Sequence, residues 1–320
     1  MLTLVCAAVP ALGPVEAAEQ ATQEVRSAQL VRAITALQST PGRSRVTGTA
    51  GAIAARELLR RKLESYGLQA ERWPFVVRHP FDKGALAQGV NVVQRLGPSE
   101  GRALVLVAHL DTKAAEDAKS AAQAGWHWAT DPAPGADDNA SGAAALLEVA
   151  RVLAGRQSRL RRPVLLVWTD AEELATIAAD SFMGNYGGQF LAEELMRRGE
   201  PVAAALSIDM LLHPRPYGAL LRLYSDGRAA SSDLALVLAL CAQRFSPQVV
   251  VDLRISPGFT WSDHGAFWAL GQGGLLLIED DYHHPRYHRP TDRYVGPDAL
   301  YGIEQVLWAT RFIVAATLIY

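Results

Sequence analysis

Cysteine is scarce in this sequence, and it lacks both a strong charge excess and a long uninterrupted apolar run. Two cysteines, Cys6 and Cys241, are too few for a disulfide framework. Lys and Arg total 31 and Asp and Glu total 33, so the net charge of −2 gives no electrostatic reason to expect nucleic acid or an anionic membrane as a partner. The apolar segment 306–320 is interrupted by Arg311 and is too short for a membrane span, which favours a final core helix.

The chain opens with an apolar stretch, residues 1–9, which is about as long as the core of a signal peptide. A small-residue pattern at 15–17 follows it and would allow cleavage before Ala18. The stretch lacks a basic segment in front, so an ordinary buried N-terminal segment is the alternative. We predict a signal peptide over residues 1–17, a mature domain over 18–320 and export to the periplasm or the exterior.

Short apolar runs alternate with segments of helical spacing along the rest of the chain, and no Pro/Gly-rich linker divides it. This alternation predicts an α/β fold: a single domain of three α/β/α layers, with a mixed, mostly parallel central sheet and helices on both faces. Strands are expected near 69–78, 89–96, 105–109, 163–168, 202–207, 219–225, 248–254 and 275–279. Helices are expected at 24–38, 51–66, 139–153, 188–198, 231–244 and in the closing segment.

Acidic and imidazole side chains follow three predicted strands, and a His-rich loop follows a fourth. Singly, such residues are typical of turns, caps, helix starts or hydrogen-bonded core positions. Together they indicate a site, because the carboxyl ends of wound strands meet at one edge of the sheet. Nitrogen and oxygen donors of this kind suit zinc, or less selectively manganese or cobalt. The strand-end residues are His109, Asp111, Asp170, Glu172, Glu173 and Asp209.

A second acidic cluster opens the helix predicted at 139–153. The turn Pro134-Gly135 leads into Asp137, Asp138 and Asn139. One Asp would be enough to cap a helix by accepting hydrogen bonds from first-turn amides. Two consecutive Asp and an Asn exceed that need, so we predict that one of the two carboxylates holds a metal ion.

Six short motifs in this order resemble those of the co-catalytic di-zinc aminopeptidases. That family includes secreted bacterial aminopeptidases and shares its fold with the glutaminyl cyclases, and the resemblance spans roughly residues 40–318. The motifs are His109-x-Asp111, the run from Gly135 to Gly142, Asp170-Ala171-Glu172-Glu173, Ile208-Asp209-Met210, Ser262-Asp263-His264 and Tyr287-His288-Arg289-Pro290-Thr291-Asp292.

The resemblance implies two zinc ions per chain, with Asp137 as the carboxylate that bridges them. It implies His109 and Asp209 as the further ligands of one ion, and Glu173 and His288 as those of the other. The context Tyr-His-x-Pro-x-Asp favours His288 over the neighbouring histidines at 283–284.

The resemblance also assigns the residues that surround these ligands. Glu172 is the implied general base, and Asp111 is the implied partner of the second ring nitrogen of His109, which fixes the tautomer. A cis peptide bond between Asp137 and Asp138 is implied as well. Two zinc ions roughly 3.5–4 Å apart would activate a shared water and polarise the scissile carbonyl. A peptide with a free N-terminus is therefore the expected substrate.

Several interpretations stay open at this point. Asp263 and His264 have either an outer role near the metals or substrate, or a plain helix-cap role. Trp126 and Phe259 either line a side-chain pocket or anchor a long loop. The segment 174–181 departs from the turn usual in the family, which bears on substrate preference.

The alternatives to an aminopeptidase are a glutaminyl cyclase-like acyltransferase with a single zinc, a metal-free binding module and a carboxypeptidase. The intact Asp-Asp-Asn-Ala-Ser-Gly pattern favours the peptidase over the cyclase.

Overall fold

The computed structural model describes residues 13–174, 176–178, 181–183, 185–214, 218–298 and 300–320. The helices are α1 (Pro14–Gln23), α2 (Ser27–Gln38), α3 (Ala50–Ser65), α4 (Ala118–Ala124), α5 (Ala140–Ala154), α6 (Tyr186–Arg197), α7 (Ala229–Phe245), α8 (His264–Ala269) and α9 (Ile303–Ile319). The strands are β1 (Glu71–His79), β2 (Ala85–Leu96), β3 (Ala103–His109), β4 (Val164–Thr169), β5 (Thr176–Ala178), β6 (Ser181–Met183), β7 (Val202–Asp209), β8 (Ala219–Ser225), β9 (Val249–Ile255) and β10 (Gly274–Glu279).

Eight of these strands form one mixed sheet in the order β1-β2-β4-β3-β7-β10-β8-β9. The four central strands β4, β3, β7 and β10 are mutually parallel, and antiparallel pairs join β2 to β4 and β10 to β8. The central strands are buried along their whole length, as expected when helices cover both faces. The predicted α/β fold with a mixed, mostly parallel sheet is confirmed.

Helices cover the two faces unequally. One face packs against α1, α2, α3, α5, α7 and α9 in the larger apolar core, and the other packs against α6 and α8. The helix α5 is buried over most of its length, because it lies between the sheet and other helices. Its N-terminus is thereby fixed beside the carboxyl ends of the central strands, where the sequence predicts the site.

Besides α1, which precedes the first helix expected from the sequence, two short helices differ from the sequence-based expectation. The long connection predicted over 112–134 contains α4, which begins at an Asp117 cap and ends at Gly125 in the left-handed region. The short helix α8 follows Asp263. Both have too few turns for a 3.6-residue apolar period to show in the sequence.

The N-terminal helix α1 packs against the closing helix α9, with Ala17 and Ala18 buried. Cleavage before Ala18 would cut the chain inside this helix, and it remains a prediction. Residues 1–12 lie outside the described residues. Within the described part of the chain, no helix combines the length and apolarity needed to cross a membrane.

Candidate metal centre

The carboxyl ends of the four parallel central strands bring the predicted residues to one edge of the sheet. His109 is the last residue of β3, Asp209 is the last residue of β7, and Glu172 and Glu173 closely follow β4. The N-terminus of α5 adds Asp138. Positions as distant in the sequence as His109 and His288 thus meet in one buried cluster.

His109 presents one ring nitrogen to this cluster. Its Nε2 lies 3.1 Å from Asp138 Oδ1 and 3.2 Å from Asp209 Oδ1. Its Nδ1 lies 3.2 Å from the carbonyl oxygen of Asp111, which can only accept a hydrogen bond, so Nδ1 carries the proton. The other nitrogen, Nε2, faces the carboxylates, and in the neutral ring its lone pair is available to a metal ion.

His288 has the same arrangement on the opposite side of Asp138. Its Nε2 lies 3.1 Å from Asp138 Oδ2 and 3.3 Å from Glu173 Oε2, and its Nδ1 lies 2.9 Å from Glu116 Oε2. The Glu116 carboxylate accepts the Nδ1 proton, which again leaves Nε2 to face the site. One carboxylate, that of Asp138, thus lies between the two histidines with one oxygen toward each.

The structure corrects the expected position of the shared carboxylate, because Asp137 does not lie between His109 and His288. Its Oδ1 accepts from the amide of Leu212 at 2.8 Å, and its Oδ2 lies 3.0 Å from His284 Nε2. A one-residue shift along the backbone at a helix start turns the side chain to another direction, so two adjacent Asp cannot face the same point.

His284 is also unsuited to bind a metal. Its Nδ1 accepts from the amide of Arg286 at 3.1 Å, so the ring proton is on Nε2 and is donated to Asp137. Glu279 Oε1 lies 3.6 Å from the same Nε2. Burial, with the nearby Asp137 charge, raises the pKa of Glu279 well above its usual range. Although these three side chains are close enough to hold an ion, we interpret them as a hydrogen-bonded group in which Glu279 is protonated.

The cis peptide bond is displaced by one residue as well. It joins Asp138 to Asn139, not Asp137 to Asp138. The Asn139 side chain caps α5 by accepting from the amide of Gly142 at 2.9 Å, and it donates to the carbonyl of Ile208 at 2.9 Å. This Asn therefore connects the start of α5 to the end of β7, next to Asp209.

Asp111 has a different partner from the one expected. Its carboxylate accepts from the amides of Glu172 and Glu173 at 3.1 and 3.0 Å, whereas its closest oxygen is 3.8 Å from His109 Nδ1. The backbone carbonyl of Asp111 takes the imidazole proton instead. Asp111 therefore holds the segment that carries the Glu pair.

Glu172 lies beside the cluster formed by His109 and Asp209, with ligand atoms of the three residues within 4.8 Å of one another. Burial raises the pKa of Glu172 well above its usual range, and the charges of Glu173 and Asp209 act in the same direction. A carboxylate with a raised pKa is suited to accept and return a proton.

The sequence analysis missed two charged residues at the site. Lys113 Nζ lies 3.1 Å from Glu173 Oε2, with only 8% of the lysine side chain exposed, and Glu116 pairs with His288. Both closely follow His109-x-Asp111, and a charge inside an otherwise Ala-rich segment is the signal that could have identified them. The Tyr287 ring also stacks on the His288 ring, with centroids 3.6 Å apart.

Two further buried side chains hold the ligand loops. Arg45 is completely buried and donates to the carbonyls of Leu110, Pro134 and Gly135 at 2.6–2.9 Å. Burial lowers the pKa of Arg45 to about 10. Asp292, the last residue of the sixth motif, accepts hydrogen bonds from the backbone amides of Asp137 and Asp138, at 2.9 and 3.1 Å.

The two residues of the fifth motif at the start of α8 have separate roles. Asp263 is buried and accepts from the Thr169 hydroxyl at 2.8 Å, and its side chain makes no cap hydrogen bond. Burial raises the pKa of Asp263 to about 6. His264 faces away from the cluster: its Nε2 donates to the carbonyl of Phe259 at 2.7 Å, and its ring packs against Trp268.

The aromatic candidates mainly anchor loops. Trp126 donates to the carbonyl of Pro132 and packs edge-on against Phe81, which supports the anchoring interpretation. Phe259 stacks on Tyr224 with centroids 4.0 Å apart. The segment 174–181, expected to bear on substrate preference, lies partly outside the described residues.

The donor set fits divalent cations on electrostatic grounds. Burial and Lys113 lower the pKa of His288, but the carboxylates of Glu173, Asp138 and Glu116 outweigh them and raise it to about 10. Burial lowers the pKa of His109, but the carboxylates of Asp209, Glu172 and Asp138 outweigh it and raise this pKa well above its usual range. Glu173 Oε1 is buried and, within the described part of the chain, accepts no hydrogen bond. The buried carboxylates of the site are therefore stabilised by positive charge. The oxygen Oε1 of Glu173 remains to bind a cation.

Comparison with known proteins identifies the family. The model of peptidase family M28 matches residues 91–309, about two thirds of the chain. This chain belongs to peptidase family M28. Membership supports a peptidase, and the family is metal-dependent, typically with zinc. The resemblance to zinc aminopeptidases that share a fold with glutaminyl cyclases is thereby confirmed.

Individual relatives are more distant. The uncharacterized protein YfbL of Escherichia coli K12 is 28% identical over 224 residues, and the match covers 63% of each chain, so this M28 protein spans less than two thirds of that relative. The LapA aminopeptidase of Legionella pneumophila has a similar structure, with a TM-score of 0.72, 22% identity and coverage of 97% of this chain and 75% of LapA. The glutaminyl cyclase of Bacteroides thetaiotaomicron also matches, with a TM-score of 0.72, 17% identity and coverage of 92% and 98%. These two similarities establish the fold.

Proposed function

We propose that this M28 protein is an aminopeptidase that uses two zinc ions sharing the Asp138 carboxylate. The observation that carries the proposal is the position of Asp138, whose two oxygens each lie 3.1 Å from a different histidine Nε2. A carboxylate with one oxygen toward each of two imidazoles is placed to bridge two metal ions.

The remaining donors divide between the two sides of Asp138. His109 and Asp209 would complete one site, and Glu173 and His288 would complete the other. When bound, two zinc ions would polarise a carbonyl group and lower the pKa of water. Asp209 is held for this purpose by the Ser262 hydroxyl, which donates to its Oδ2 at 2.9 Å.

Glu172 would move the proton in the hydrolytic step. Its carboxylate takes a proton from the attacking water and returns it to the departing amine, first as general base and then as general acid. Its amide donates to Asp111 at 3.1 Å, which holds the backbone of Glu172 beside the cluster. The raised pKa of Glu172 favours this exchange.

The carboxylates at the site include hydrogen-bond acceptors for a free α-amino group. Asp138, Glu172, Glu173 and Asp209 are all buried there. A carboxylate accepts hydrogen bonds from an ammonium group, which supports aminopeptidase specificity. A carboxypeptidase would need a cation for the C-terminal carboxylate of its substrate, and Arg286, two residues before His288, instead pairs with Asp298 at 2.6 Å.

The test combines metal analysis with a panel of aminoacyl-amide substrates, including N-acetylated controls. We expect about two zinc ions per chain and hydrolysis of free-amine substrates only. Glu172→Gln should keep the metal and lose about 10²–10⁴-fold in kcat, whereas Glu173→Gln should lower the zinc content.

Three results would count against the proposal. Full activity of Glu172→Gln would refute the base. Ammonia release from a glutaminyl peptide without chain shortening would instead identify a cyclase. Protein that takes up no metal would favour a binding module.

We also propose export, supported by the apolar stretch at residues 1–9 and the small residues before Ala18. N-terminal sequencing of protein from the periplasm or medium should find Ala18 first. An intact Met1 on all of the protein would contradict this.

A further inference from the structure

The strand β9 is an edge of the main sheet with an unusual surface. It pairs with β8 on one side, and no strand of the described residues pairs with its other side. Its seven residues, Val249–Ile255, contain no proline, so each has a backbone N–H and C=O that a further strand could use. Natural edge strands usually carry features that prevent such pairing.

Apolar side chains on this edge are exposed. Val250, Leu253 and Ile255 have relative exposures of 62%, 47% and 70%. Side chains alternate between the faces of a strand, so Val251, Leu253 and Ile255 share one face, and Asp252 and Arg254 share the other. A free edge with an apolar face is a template for another strand.

We propose that β9 pairs with β9 of a second copy of this chain, in an antiparallel arrangement centred on Leu253. A two-fold axis through this residue places Leu253 opposite Leu253 of the second copy, and Val251 opposite Ile255. The same register places Asp252 opposite Arg254, and Arg254 opposite Asp252. Apolar pairs thus fall on one face and two opposite-charge pairs on the other.

Charge disfavours two alternative registers and favours a second copy of this chain as the partner. Centring the pairing on Asp252 would oppose two Asp, and centring it on Arg254 would oppose two Arg, which is unfavourable. Asp252 and Arg254 already form an ion pair within the strand at 2.6 Å, with 32% and 52% of their side chains exposed. The pattern of β9 is therefore complementary to itself, which favours a second copy over an unrelated partner.

The dimer would not obstruct the metal centre. Strands β8 and β10 separate β9 from β7, which carries Asp209. Pro247 and Pro257 flank the strand, and each lacks an amide donor, so the paired segment is limited to about residues 250–256. The proposal does not depend on the proposed peptidase activity.

Cysteine cross-linking tests the register in the full chain. Cys241 is buried, so a Cys6→Ser background leaves no accessible thiol among the described residues. In the proposed dimer, two cysteines introduced by Leu253→Cys face each other across the axis. Two cysteines introduced by Val250→Cys lie about six residues apart along the paired strands. This is about 20 Å at about 3.4 Å per residue. A short bis-maleimide should therefore cross-link Leu253→Cys efficiently. The matched control Val250→Cys is also exposed and lies on the same strand, and it should hardly be cross-linked.

Sedimentation analysis tests the association itself. The unmodified chain should sediment at about twice its mass of 34.5 kDa. Arg254→Asp should raise the dissociation constant at least tenfold, because it opposes like charges. Arg78→Asp, an exposed Arg on the opposite edge strand β1, should leave it unchanged. A monomer at all concentrations, or equal cross-linking at 250 and 253, would overturn the proposal.

Discussion

Glu173 has two oxygens in different surroundings. Its Oε2 is shared by Lys113 at 3.1 Å and His288 at 3.3 Å, whereas its Oε1 is buried and accepts no hydrogen bond from the described residues. Lys113 therefore neutralises a buried carboxylate and leaves one oxygen for a cation. Burial alone would lower the pKa of Lys113, but the surrounding Glu carboxylates raise it, so the lysine stays charged.

We predict that Lys113→Met destabilises the metal-free protein by about 3 kcal/mol, because removing one partner leaves a buried charge unpaired. Zinc should recover most of this loss, since a cation near Glu173 replaces the missing charge. Urea unfolding with a chelator and with zinc measures both values. An equal loss under the two conditions would show that Lys113 only contributes packing.

The burial of His264 makes the stability of the folded protein sensitive to acid. Burial lowers the pKa of His264 from its usual 6.5 to about 4, although the Phe259 carbonyl opposes the shift. Between these values the unfolded chain binds a proton that the folded chain does not. Stability is therefore lost as the pH falls from about 6.5 towards 4.

We expect His264→Gln to remove this part of the pH dependence. The free energy of unfolding of the unmodified chain, relative to the variant, should fall by about 2 kcal/mol between about pH 7.5 and pH 5. Paired urea titrations across this range provide the measurement. Parallel curves for the two proteins would mean that His264 titrates normally in the folded state.

At the scale of elements, the contact between the start of α5 and the end of β7 fixes the metal centre. Gly142 lies where a Cβ would be 2.3 Å from the Ile208 carbonyl oxygen and 2.4 Å from Asn139 Oδ1. Only a glycine allows α5 to approach β7 this closely. The approach sets the separation of Asp138 from Asp209, so packing between elements determines the ligand geometry.

Gly142→Ala should therefore destabilise the protein by about 3 kcal/mol or more, because neither the Ile208 carbonyl nor the cap can move freely. Gly155→Ala is the matched control at the other end of α5: a Cβ added there would have no atom within 4 Å, and the φ of −83° suits alanine. We expect a change within about 0.5 kcal/mol there. Similar losses at both glycines in urea unfolding would rule out the close contact as the cause.

At the scale of the whole molecule, the ligands come from strand ends and loops spread over most of the chain. Many buried carboxylates at one sheet edge oppose folding unless cations are present. Metal should therefore act on global stability as well as on chemistry. A ligand that binds only the folded state at about 100 times its Kd adds about 2.7 kcal/mol.

We predict that chelation lowers the melting temperature by about 5 °C and that zinc restores it. Asp138→Asn should abolish the zinc-dependent shift, because it weakens both sites at once. Glu172→Gln should retain the shift, since Glu172 is not assigned as a ligand. Differential scanning calorimetry measures all three proteins, and a full shift in Asp138→Asn would exclude the shared carboxylate.

The sequence by itself determined the order of the eight strands of the main sheet along the chain and the sheet edge that carries the site. Buried parallel strands appear as continuous apolar runs, and polar residues directly after them must lie at one edge. His109, Glu172, Glu173 and Asp209 could therefore be placed together before any coordinates, whereas His288 is assigned by the family resemblance. The sequence shows this local apolar periodicity because each helix or strand must bury at least one face.

Only the tertiary structure decided which of two adjacent carboxylates lies between the histidines. Asp138 and not Asp137 has that position, and Asp111 holds the Glu pair by their amides instead of holding His109 by its carboxylate. Lys113 joins the site from a loop without periodicity. Side-chain direction at a turn depends on backbone dihedral angles and on packing against distant strands, and neither is encoded in a local pattern of residue types.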